Sequence, residues 1–413
     1  MTPNDITQLR KSGKTGEAYV AARQLLAGQP RDINAAKALA WVLCDMMKAN
    51  ATYNNRYRFS ENLNELLALA LPYRDAEFIY ETVLHRIAAL MYDTANVSTL
   101  DYAWLDGIAD SIKGIPFNTG SDAYHRLLTS AVKIDNWYGL VRFIKWWNLS
   151  NLTDADYEER VNSKGDKYMG VAEAAYTAVS RAMLLSNDNS LILRYIERLD
   201  GIIEAHPRYS FLPYYKARLL IKAGERQKAL DTLKTFAVSK ARDFWVWELL
   251  AETADSADDK LMYYCKALTC RNKDEMLVRL REKAGLFLAA QGHYPAAKLC
   301  LEQVISTRSC EGRNPSYGVQ RATAEPWWAT TATTGATALI EQQAQRVDEQ
   351  MLYTKVNGKL KKTPSGIGFV KDVFVPANMI QNIPHGTNIT VYAQKKFDKK
   401  KNQWGLAAVK IVK

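Results

Sequence analysis

The sequence predicts a mainly α protein: an α-helical repeat solenoid followed by a small all-β barrel. Three observations carry this reading. Apolar residues recur at helical spacing, with short breaks, from the start to about residue 310. A Gly–Ala pattern recurs at a multiple of a fixed period in the later part of that stretch. From Lys355 onward the apolar period becomes alternating, and the charge changes with it. The boundaries that follow are 1–308 for the helical region, irregular around 50–200, then a linker and connecting helix at 309–354, and the barrel at 355–413. With 413 residues, 47% hydrophobic and 24% charged, the chain has enough apolar material for two or three cores and is not broadly disordered.

The helical elements follow in order. "GKTGEAYVAARQLLAGQP" sets Gly13, Ala18, Ala22, Leu25 and Pro30 at the offsets of a second repeat helix and its terminating proline, and "INAAKALAWVLCDMMK" supplies the next helix. In "YYKARLLIKAGERQKALDTL" Gly224 precedes Ala229 by five residues, and in "REKAGLFLAAQGHYPAAKLCL" Gly292 precedes Ala297 by five. A glycine-centred turn ends the first helix of each pair, and the small alanine lets the second approach closely. The two glycines lie 68 residues apart, twice a 34-residue period. Over roughly two-thirds of the chain this resembles degenerate tetratricopeptide repeats. The resemblance implies stacked helical pairs whose faces bind an unidentified protein partner.

The region 50–200 is helical but does not keep the period. The polar break "NLSNLTDADYEERVNSKGDKYMG" predicts an insertion or long loop there. After Ser309, "SCEGRNPSYGVQRATAEPWWATTATTGAT" has the texture of a linker or irregular docking segment, and "ALIEQQAQRVDEQMLY" reads as one connecting helix.

Several motifs invite a chemical reading and lose to a structural one. "SGKTG" at Ser12–Gly16 has Gln8 where a phosphate loop needs glycine, and no strand precedes it, so it reads as a turn between helices. Asp154, Asp156, Glu158 and Glu159 read as the capped acidic start of a helix. Trp245 and Trp247, two apart, cannot share a helix face, so one packs inside and the other approaches a surface. The five histidines and five cysteines have no metal-ligand spacing; the cysteines read as reduced and mostly packed. No nucleophile–base pattern occurs, so no enzyme and no cofactor are expected. No run of about 18 apolar residues and no apolar leader core occur, so a cytoplasmic protein without a membrane partner is expected.

The charge singles out the end of the chain. From Lys355 there are 12 lysines against Asp372 and Asp398, which is +10 of the total +11. A compact basic module points to a polyanion. "SGIGFV" and "VFVP" form a tight hairpin around Lys371 and Asp372, and in "NITVYAQ" Ile389, Val391 and Ala393 alternate with polar residues. With the lead-in "GKLKK", these segments resemble the paired ribonucleoprotein motifs of cold-shock domains over about 55 residues. The resemblance implies an OB-fold barrel whose outward aromatics stack on single-stranded bases while lysines hold the phosphates. Phe369 and Phe374 fall on stacking positions. Ile367, Pro376 and Lys362 replace a family aromatic, histidine and tryptophan, so the platform is reduced.

The candidate nucleic-acid-binding set is Phe369 and Phe374 with Lys359, Lys361, Lys362 and Lys371, and, from "QKKFDKKKNQW", Lys395, Lys396, Phe397, Lys399, Lys400, Lys401 and Trp404. The expected function is a non-enzymatic adaptor, its repeats binding a protein and its basic domain binding single-stranded nucleic acid, RNA in preference to DNA. The overall layout resembles tetratricopeptide proteins of bacterial stress or conflict systems. One rival is a protein scaffold whose basic barrel docks an acidic partner. Another is an enzyme with a site hidden in 50–200.

Overall fold

A computed structural model describes residues 1–398 and 403–412. Residues Met1–Ala223 and Gly224–Lys413 form two compact units.

In the first unit, helices begin where the sequence supplies caps. Thr2 and Asp5 close a capping box on Pro3–Lys11, and Asp32 caps Ile33–Ala49. The stretch "SGKTG" is the turn joining Pro3–Lys11 to Thr15–Gly28. Gly13 there has φ 77°; its amide donates to the Arg10 carbonyl, and the next amide, of Lys14, donates to the Leu9 carbonyl. This left-handed cap satisfies two end carbonyls at little cost because glycine has no Cβ. Ala18, five residues on, is fully buried. Gly292 repeats the arrangement in the second unit, with φ 77° and bonds from Gly292 to Ala289 and from His293 to Leu288, and Ala297 is again fully buried. The turn geometry read from the Gly–Ala pattern is therefore present. A constant period is not: the alternate helices Leu212–Lys222, Phe244–Thr253 and Asp274–Ala290 start 32 and 30 residues apart.

The 50–200 region is helical up to Leu140–Trp147, with an aromatic core in which Trp137 and Trp147 are buried and Tyr124 stacks on Trp147 at 5.0 Å. The polar break then holds two short 3₁₀ turns and a two-residue antiparallel ladder, Arg160–Val161 with Lys167–Tyr168. The acidic cluster was expected to open a helix. Its Thr153/Asp156 capping box does form, but the turn stops at Tyr157 and the backbone becomes extended at Glu158. Asp156 is buried, and its Oδ1 lies 2.5 Å from His125 Nε2.

In the second unit, Trp247 is buried and Trp245 half-buried, as their spacing requires. The segment expected as a linker is a packed part of the helical unit. Tyr317–Thr323, Pro326–Thr330 and Ala336–Val347 are helices. Ala336 and Ile340 share a core with Leu261, Cys265, Leu288 and Cys300, and Val319 packs with Val278, Leu301 and Val304. Gly/Thr-rich sequence hides the first two because each is short and is stabilised by packing against a neighbour more than by propensity, while Ala336–Val347 is the connecting helix read from the sequence. A π-helical turn, Asp348–Leu352, leads into the barrel.

Five strands form that barrel: β1 (Thr354–Lys362), β2 (Gly368–Val370), β3 (Val373–Val375), β4 (Asn388–Asp398) and β5 (Gln403–Val412). They close in the order β1-β2-β3-β5-β4, with all pairings antiparallel except β3 with β5. The short helix Ala377–Ile380 lies between β3 and β4. This is an OB-fold. Its core is Leu360, Val370, Val373, Val375, Ile380, Ile389, Val391 and Ala393 with their neighbours. Gly368 lets the helix close on the barrel: a Cβ there would sit 2.7 Å from Ile380 Cδ1 and 2.8 Å from Leu360 Cδ1.

Candidate nucleic-acid interface

The face begins with alternation. Leu360, Val370, Val373 and Val375 point inward, so their neighbours Lys361, Phe369 and Phe374 point outward. Register then aligns these across strands. Lys361 pairs with Phe369, Phe369 with Phe374, Phe374 with Ala407, and Ala407 with Gln394. The result is one outward row, Lys361–Phe369–Phe374–Ala407–Gln394, running across β1, β2, β3, β5 and β4. The two phenylalanine rings meet edge to face, with centroids 5.9 Å apart and planes at 70°. Both rings are half-buried, so each is supported by its neighbour and keeps area open to a ligand.

The turn that sets this pairing has only two residues, Lys371 and Asp372, between paired Val370 and Val373. Lys371 adopts φ 55°, a left-handed conformation that glycine usually takes at the first position of such a hairpin turn. A lysine held there is exposed at the edge of the aromatic pair.

The lysines fall into two groups. Lys359, Lys361, Lys371, Lys395 and Lys396 are exposed, and none forms an ion pair with a described residue. Lys359 and Lys361 share the outward face of β1, and Lys396, two residues beyond Gln394, shares that of β4. Lys395 lies on the alternate row, opposite Leu406, and is exposed there. Lys410, by contrast, pairs with Glu349 of the π-helical turn and sits 6.0 Å from the Tyr392 ring centroid.

Lys362 departs from the expected set. It pairs with Gly368, which pairs with Val375, so it lies on the inward row. Its backbone amide donates to His385 Nδ1 at 3.2 Å, and its ammonium reaches the Gln381 carbonyl at 3.5 Å. It seals the barrel beside the short helix and does not belong to the phenylalanine row. Lys399, Lys400 and Lys401 lie outside the described residues. Phe397 and Trp404 are paired in register near the ends of β4 and β5. Ala407 and Gln394 complete the row without having been singled out from sequence. The parity of Ala393 could have placed Gln394, but the partner of Ala407 depends on a β-bulge at Tyr392/Ala393.

Among the described residues, no three His, Cys, Asp or Glu side chains converge as a metal site would require. Cys44, Cys265 and Cys300 are buried, and burial pushes each thiol up to about 12, which keeps it protonated near neutral pH. No described helix is long and apolar enough to cross a membrane.

Residues 354–411 match a family described as S1/CSD-like domain 2 of the TOTE conflict systems. Residues 210–346 match a domain of unknown function, DUF7017. No curated protein matches the chain. The first match covers the five-stranded barrel and contains the whole phenylalanine row.

Proposed function

We propose that the barrel binds single-stranded nucleic acid across β2 and β3, and that the protein is a non-enzymatic adaptor joining that activity to a protein partner held by its helices. The observation that carries this is the edge-to-face pair Phe369–Phe374, flanked by lysines without carboxylate partners among the described residues. A base stacks on either ring, contributing about 1–3 kcal/mol, and the lysines track the phosphates. RNA is favoured over DNA by analogy with the cold-shock fold. The conflict-system description of the matching family supports a defence setting. With two rings, affinity leans on charge. Neutralising four phosphates gives a slope of about −3 in log K against log salt, roughly a 50-fold loss between 50 and 200 mM.

Fluorescence anisotropy of a labelled single-stranded RNA with the full chain tests this. Saturable binding at low salt with that slope is expected, with weaker binding of the DNA counterpart. Absence of binding at low salt eliminates the reading and leaves the basic barrel as a docking surface for an acidic protein.

A further inference from the structure

The first unit contains a cleft of about 770 Å³ that lies outside both family matches. Its walls come from helices Leu140–Trp147, Val171–Met183 and Asn189–Ala205. The floor is apolar: Ile144, Leu149, Val179 and Met183 line it and are buried. The rim is cationic. Arg194 and Arg198 sit one helical turn apart on one wall, while Arg142 and Lys145 line another.

The charges on that rim are not balanced. Among the described residues, Asp106 is the only carboxylate lining the cleft. Its Oδ1 accepts the Trp137 indole N–H at 2.8 Å, and its Oδ2 lies 3.1 Å from Arg142. Arg142 is also 3.5 Å from Asp110, so this cation is committed. Lys145, Arg194 and Arg198 are exposed, and none of the three forms an ion pair with a described residue. Like charges one turn apart repel, and the contact to either that the cleft supplies is the Tyr176 ring, whose centroid lies 6.0 Å from the Arg198 guanidinium carbon.

Hydrogen-bonding capacity narrows the ligand. Most side-chain acceptors of the lining are engaged: Asp106 as described, Asn148 Oδ1 by the Ser150 amide and hydroxyl, and the Tyr195 hydroxyl with Ser180 Oγ and the Tyr176 carbonyl, while the Tyr138 hydroxyl at the edge donates to Ser186 Oγ. The strongest polar groups without a hydrogen-bond partner among the described residues are the donors of Lys145, Arg194 and Arg198. A peptide would bring amide donors into a site whose acceptors are mostly engaged, whereas a phosphate chain brings acceptors alone. Guanidinium pairs suit phosphate oxygens by geometry as well as charge. The volume falls in the range of small-molecule sites.

We infer that this cleft binds an organic polyphosphate of the nucleoside triphosphate class, with the phosphates on Lys145, Arg194 and Arg198 and the organic body over the Val179–Met183 floor.

Titration of a fluorescent ATP analogue into the full chain, competed by ATP, pyrophosphate and poly-glutamate, tests it. Saturable binding is expected, weakened about tenfold or more by Arg194→Gln/Arg198→Gln and several-fold by Lys145→Gln, with pyrophosphate a much poorer competitor than ATP. Phe369→Ala/Phe374→Ala should leave it unchanged, which separates this cleft from the barrel. All three cations are exposed, so the variants should keep the parent melting curve; if the arginine pair does not, Lys145→Gln alone decides. Lack of saturable binding, binding insensitive to the folded variants, or equal competition by pyrophosphate or poly-glutamate would each overturn the assignment.

Discussion

The two ends of the barrel wall treat the same residue type in opposite ways. Where β4 and β5 meet the π-helical turn, Lys410 is neutralised by Glu349, and Lys266 of helix Ala257–Thr269 pairs with Asp348 of the same turn. Around Phe369 and Phe374, five lysines have no carboxylate partner among the described residues. A lysine paired within the fold is a structural contact of modest value. An uncompensated cluster beside half-buried rings leaves its charge available to a polyanion. Net charge alone does not locate a site; the distribution of partners does.

Removing both rings tests the difference most severely. Phe369→Ala and Phe374→Ala should each cost about 1–3 kcal/mol of affinity for single-stranded RNA, with the barrel still folded by circular dichroism. Unchanged affinity would mean that lysines alone bind. Next in size is Gly368→Ala, whose methyl group would collide with Ile380 and Leu360. It should destabilise the barrel by about 1–3 kcal/mol in a denaturant titration, and a neutral result would contradict the close approach of the helix.

The lysines distinguish the two environments more finely. Lys359→Gln with Lys361→Gln should flatten the salt dependence by about 1.4 in slope, near 0.7 for each phosphate no longer neutralised. Lys410→Gln should leave that slope unchanged. Smallest is Lys371→Gly, which relieves a positive φ and should raise stability by up to about 1 kcal/mol while weakening binding slightly. If it destabilises, the lysine stabilises the turn in another way.

Much of this contrast was legible in the sequence, because alternation is a local property. The Lys371–Asp372 spacing gave the hairpin, alternation gave the inward Ile389, Val391 and Ala393, and the cold-shock resemblance placed Phe369 and Phe374 outward. The same parity would have turned Lys362 inward, but its likeness to a family aromatic position obscured that. Ala407 joins the row only through parallel pairing of β3 with β5, which no local pattern encodes. The two short helices Tyr317–Thr323 and Pro326–Thr330 were hidden for a related reason: Val319 is stabilised by Val278 and Leu301, distant in sequence. The cationic cleft is the extreme case, since Lys145 and Arg194 come from separate helices.

The central claim is that single-stranded nucleic acid lies on the Phe369–Phe374 pair. The most direct measurement is the ring resonances of the full chain with ¹³C-labelled phenylalanine, assigned by the Phe369→Ala and Phe374→Ala variants, during titration with a single-stranded RNA. Stacking should move both rings together, saturating at the concentration seen by anisotropy. Binding that saturates while both resonances stay fixed would contradict the account.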